Sequence, residues 1–304
     1  MRIMGINTIG LLANQPYYTL CFGLLGCSII SIWAKPGRLW WTLFYIASGV
    51  VGYWHGILSE SAAILMGAFW ILSYYAYANY IPHSRMIAQV IMIPLTALLL
   101  LHYFEGFEPW IVVSHLQLGH RLVPFTHFVF YEHAFIGASL LGMGALRKLC
   151  YRYPEWKVML RDTWPIAVTA VFALFILSTF SNHVDIDLEW TGYIKIFAIT
   201  NLLFVCISEE AIFRGMIQRP LTEIFQSWHI GKVDIGPWVA LLITTTLYTL
   251  RHFYSGKMVM LYAFFTGIFF SYAYLKTRQV ESAIFVHWTV NIIHFVSFTY
   301  PMLA

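Results

Sequence analysis

The chain has 304 residues, 60% of them hydrophobic and 11% charged, with a mean hydropathy of +0.69. Soluble domains are about a quarter charged, so a soluble globular protein is excluded, and repeated apolar runs of about 17 residues or more point to helices rather than a barrel. The net charge of +4 is spread over short loops without a basic arm or domain, which argues against nucleic acid as a partner.

In chain order the pattern predicts an all-α, polytopic transmembrane bundle of about ten spans: 16–33, 40–58, 61–81, 86–104, 123–146, 164–181, 192–217, 237–253, 257–275 and 281–300. The linkers are short, the longest being 105–122 and 147–163, and no internal repeat or low-complexity tract is present. Residues 1–160 read as a set of N-terminal transmembrane helices and 161–304 as a C-terminal helical core. The start, Met1-Arg2-Ile3, lacks a small-residue cleavage site, so the first apolar run reads as a retained helix. Cys21, Cys27, Cys150 and Cys206 show no paired framework and read as buried or membrane-facing thiols.

Threading these spans places twelve of the eighteen Lys and Arg residues on one side, among them Lys35, Arg85, Arg147, Arg152, Arg219 and Lys276. Arg2, Arg121, Arg251 and Lys257 fall opposite, with the acidic loop Asp185–Glu189. The positive-inside rule then puts both termini outside and the basic loops in the cytoplasm, across a plasma or inner membrane. Trp40, Trp41, Trp164 and Trp190 stand near span ends, as interfacial anchors do.

Charge within the apolar runs is costly and therefore informative. In span seven Glu210 and Arg214 are four apart and share a helix face, so the guanidinium can grip that carboxylate. Glu209 points about 100° away and is available for chemistry as a general base. An ordinary surface ion pair at a helix end is the plain alternative. Span eight ends in Tyr248 and His252, again four apart, where an interfacial histidine is the plain reading. Span ten carries His287, Asn291 and His294 as one polar stripe. Interhelical hydrogen bonding would explain that stripe, and His287 and Asn291 also offer two donors to an oxyanion. By rise per residue Glu209 and Asn291 lie about 15 Å from the cytoplasmic end and His287 about 9 Å, whereas His252 counts to about 22 Å unless span eight is tilted. In span five, Glu132 and His133 form a candidate second polar site, which His127 could join. His55, His102 and the loop histidines read as interfacial.

Glu-Glu-x-x-x-Arg, aromatic-x-x-x-His and His-x-x-x-Asn, in that order on three apolar segments, form a specific combination. It resembles the CPBP family of CAAX prenyl endopeptidases and bacteriocin-processing (Abi) enzymes, over about residues 190–295. The resemblance implies an intramembrane glutamate-dependent endopeptidase with a CPBP-like core. Glu209, helped by His252, would activate water, His287 and Asn291 would hold the oxyanion, and Glu210 and Arg214 would fix the geometry. Tyr248 stands where many members have Phe, which keeps the ring and adds a hydroxyl. The implied partners are the lipid bilayer and a hydrophobic or lipidated peptide or protein, with no cofactor or metal; the shared depth of Glu209, His287 and Asn291 puts the site in the cytoplasmic half. Three rival readings remain. A zinc hydrolase would use Glu209, His252 and His287, although the compact His-Glu-x-x-His pattern is absent. A non-catalytic scaffold or immunity protein would share the fold. A proton-coupled transporter would use Glu132 and Glu209.

Overall fold

The computed structural model describes residues 15–34, 38–78, 81–116, 124–146, 148–181, 186, 188 and 192–298. Arg2, Lys35, Arg121, Arg147, Asp185, Asp187, Glu189 and Trp190, used above for orientation, lie outside the described residues.

The protein is mostly helical. Five of its helices are long and apolar enough to cross a membrane: Glu60–Ala78, Pro82–Leu100, Tyr153–Phe180, Ile194–Ile224 and Lys257–Thr277. It is thus an integral membrane protein with a mainly α architecture. Among the described residues these helices match five of the ten expected spans. Two further expected spans fall on shorter helices. The helices α1 (Pro16–Ser31) and α8 (Gly236–Arg251) have 16 residues each. At 1.5 Å per residue they reach about 24 Å, against a hydrocarbon thickness near 30 Å.

The expected fifth span is replaced by different structure. Its first part is the strand β2 (Phe125–Val129), paired antiparallel with β1 (Trp110–Leu116), which lies in the stretch read as a loop. The residues of β2 alternate between buried and less buried, as a strand's period of two requires. Its second part is the 12-residue helix α5 (Tyr131–Gly142), buried along almost its whole length. An apolar helix wrapped on all sides by protein has the same composition as a lipid-facing one.

The chain divides into two compact units. The first comprises Met1–Leu118, Pro124–Ala145 and Trp190–Glu209. It holds α1, α2 (Arg38–Trp54), α3 (Glu60–Ala78), α4 (Pro82–Leu100), the hairpin, α5, and the first part of α7 (Ile194–Ile224). Ser59 caps α3 by accepting from the Ala62 N–H at 3.2 Å, and Pro16 and Pro82 open α1 and α4, where a missing N–H costs nothing. Buried hydroxyls tie α5 to its neighbours. Tyr131 and Ser48 hydroxyls meet at 2.9 Å, and Ser139 donates to Tyr45 at 3.0 Å. Trp41 is not an interfacial anchor. It is buried against Gly142, where a Cβ would fall 2.5 Å from the indole. Trp40 and Trp164 are exposed.

The second unit comprises Gly119–Val123, Leu146–Glu189 and Glu210–Ala304. It contains α6 (Tyr153–Ser181), the rest of α7, the short hairpin β3 (His229–Ile230) and β4 (Val233–Asp234), then α8, α9 (Lys257–Thr277) and α10 (Val280–Ser297). The N–H of Cys150 donates to the buried Glu281 carboxylate at 2.6 Å, which ties the segment before α6 to the first turn of α10. In α7 two π-helical stretches, Asn201–Cys206 and Ala211–Gln218, flank an ordinary turn at Ile207–Glu210. Such widened turns concentrate at functional positions.

Candidate active site

Glu210 is the hub of the second unit's polar interior. It and Arg214 have no solvent exposure. Arg214 Nε donates to Glu210 Oε2 at 2.5 Å, so the expected i,i+4 ion pair is formed inside the protein and not at a surface helix end. The other carboxylate oxygen, Oε1, lies 2.8 Å from His287 Nδ1 of α10. A carboxylate can only accept, so Nδ1 carries the hydrogen of that bond. Arg214 Nη1 donates to Gln218 Oε1 at 3.0 Å and to Ser271 Oγ of α9 at 2.5 Å. Gln218 Nε2 donates to the Ser271 carbonyl at 3.0 Å, and the Thr245 and Ser271 hydroxyls meet at 3.0 Å. Four helical segments thus share one buried ion network. Its cost in desolvation is offset because each Glu210 oxygen is engaged. Among the described residues, Arg214 Nη2 has no hydrogen-bond partner.

Rings continue the network. His287 stacks on Phe270, with centroids 4.4 Å apart and planes at 15°. Tyr248 stands edge-on to both His252 at 5.2 Å and His287 at 6.1 Å, so it lies between the two imidazoles. Gly267 makes room for it, since a Cβ there would lie 2.9 Å from the Tyr248 ring. His252 caps the C-terminus of α8 and is half-buried. Asn291 is also half-buried, one turn beyond His287 on α10. The structure therefore brings Glu210, Arg214, Tyr248, His252 and His287 together in the second unit. Glu209 is buried and belongs to the first unit, with Ser208 beside it. Among the described residues, no three His, Cys, Asp or Glu side chains are placed to hold one metal ion.

Sequence reasoning missed Gln218, Ser271, Thr245 and Phe270. Gln218 had a local signal, because Glu210, Arg214 and Gln218 recur at intervals of four. The other three act across helices and had none.

The candidate second polar site is also assembled, with a different membership. Glu132 Oε1 bonds His102 Nδ1, so His102 is no mere interfacial residue. The His102 and His133 rings stack at 5.4 Å, and Phe130 covers both. His127 does not join them. It pairs with the Tyr193 hydroxyl at 2.6 Å.

Residues 191–293 match the family model of the type II CAAX prenyl endopeptidase Rce1-like proteins. The segment contains Glu209, Glu210, Arg214, Tyr248, His252, His287 and Asn291, and it bears out the family resemblance of the three motifs. It leaves out Glu132 and His133. No curated protein and no solved structure matches the chain.

Proposed function

We propose that this chain, with its Rce1-like domain at 191–293, is an intramembrane endopeptidase that uses Glu209 to activate water. Glu209 takes a proton from water as the water oxygen attacks the scissile carbonyl carbon, with His252 assisting. The resulting oxyanion accepts from Asn291 and from His287 Nε2. The C–N bond then breaks and the proton on Glu209 passes to the leaving amine. The second water proton follows from the new carboxyl group, leaving a carboxylate and an ammonium.

The observation that carries this reading is the buried bridge from Arg214 through Glu210 to His287. With Nδ1 committed to Glu210, His287 offers only Nε2 to a substrate. A non-catalytic scaffold has no need to orient an imidazole by a fully buried ion pair.

The substrate class is a hydrophobic or lipidated peptide or protein that reaches the site from the bilayer, with cleavage in the cytoplasmic half. Comparative sequencing of membrane-protein termini from cells carrying the wild type or Glu209→Ala tests the assignment. New C-termini or N-termini that vanish with Glu209→Ala support it. Identical termini in both cells reject it. Wild-type cleavage that stops in a chelator would move the assignment to a metal-dependent hydrolase.

A further inference from the structure

The cluster His102, Glu132 and His133 lies outside the Rce1-like segment and has no part in the mechanism above. Its placement is informative. At Gly137 a Cβ would fall 2.6 Å from both Cα and Oγ of Ser208, so α5 touches the α7 backbone at that point. Only glycine permits such an approach. His133 is one turn before Gly137 and therefore on the same face of α5. Ser208 is the immediate neighbour of Glu209. The Cα atoms of His133 and Glu209 thus start about 6 Å and about 4 Å from a common point of contact. That is within the joint reach of an imidazole and a glutamate side chain. Both residues are buried, and both belong to the first unit.

The cluster also has the build of a mount. Glu132 sits in the first turn of α5, where the helix end favours a carboxylate. His102, which bonds it, has a left-handed backbone at φ 53°, a strained conformation of the kind that concentrates at functional sites. Phe130 packs on His102 and His133 at 4.3 and 5.4 Å and limits the rotation of both rings.

We propose that His133, held by Glu132, His102 and Phe130, is a positioning residue for Glu209, its imidazole donating to the Glu209 carboxylate and aiming it at the attacking water. This rests on the assignment of Glu209 as the base.

The test is infrared difference spectroscopy on the full chain in lipid nanodiscs. Subtracting the Glu209→Gln spectrum isolates the Glu209 carboxylate band, whose position reports the hydrogen bonds it accepts. His133→Phe keeps the ring packing and removes the donor, and His133→Gln keeps a donor of different strength. The proposal expects the band to move in His133→Phe and to lie between the two in His133→Gln. A band that stays put in both variants overturns it. Should His133→Phe not fold, His133→Gln decides alone: a displaced band supports the proposal and a coincident band overturns it. Cleavage of a farnesylated peptide, followed in parallel, keeps the two ideas separate. A wild-type rate retained by Glu209→Gln would sink the base assignment, whatever the band does. Loss of cleavage in Glu209→Gln with an unmoved band would sink only the role of His133.

Discussion

Around Arg214, Glu210 engages both carboxylate oxygens, one with Arg214 and one with His287, and no member of the three is more than 2% exposed. Around Glu132, one oxygen bonds His102, whose side chain is 43% exposed, and among the described residues the other oxygen has no hydrogen-bond partner. The first cluster is closed and cross-braced by three further helical partners, Gln218, Ser271 and Thr245. The second is open at one end. A closed ion network gives orientation and tolerates no missing member, because water cannot reach the charge left behind. An open one gives up less when altered, since its outer member is already partly solvated.

The largest effect expected from this contrast is at Arg214. Arg214→Ala leaves the Glu210 charge buried without its cation and should cost about 3–5 kcal/mol, measured by unfolding in detergent micelles. Next comes Glu209→Gln, which should lower peptide cleavage by on the order of a hundredfold or more with little change in unfolding temperature. The adjacent Glu210→Gln should instead lower both. Equal stability losses at the two glutamates would break the division of labour between them. Gly137→Ala pushes a methyl group into the Ser208 backbone and should cost about 1–3 kcal/mol, again by unfolding. His102→Ala removes the partly solvated end of the open cluster and should cost less than Arg214→Ala, by the same measurement. A loss there as large as at Arg214 would erase the contrast.

At the low end lies Cys150, where no reaction is expected at all. Burial, and after it the Glu281 carboxylate, pushes this thiol up to about 12. At pH 8 only about one thiol in ten thousand would be ionised. Maleimide labelling of the folded protein should therefore leave Cys150 unmodified, and mass spectrometry of the labelled peptide checks this.

What the sequence made legible was local. Glu210 and Arg214, or Tyr248 and His252, meet because residues four apart on a helix must lie near each other. Composition alone marked the membrane. The bond from Glu210 to His287 was not legible, because it depends on how α7 and α10 are rotated about their axes. Ser271 and Thr245 were hidden for the same reason. The run 123–146 misled because apolar content does not distinguish a helix surrounded by protein from one surrounded by lipid. His102 misled because its partner lies 30 residues away, on an element then assigned to a span.

The widened turns of α7 set an angular phase. A helix that absorbs one surplus residue in a broad turn swings everything beyond it by about 100° relative to an unbroken helix. α7 does so on each side of Ile207–Glu210. The bearing of Ser208 and Glu209 is therefore adjusted separately from the helix before them and from Arg214 and Gln218 after them. Deleting a single residue from 202–205 would relax the first broad turn into an ordinary one and rotate the carboxylate pair off its bearing, without removing any side chain named in the chemistry. Spacing along this helix is thus as much a determinant of the site as the identity of its residues.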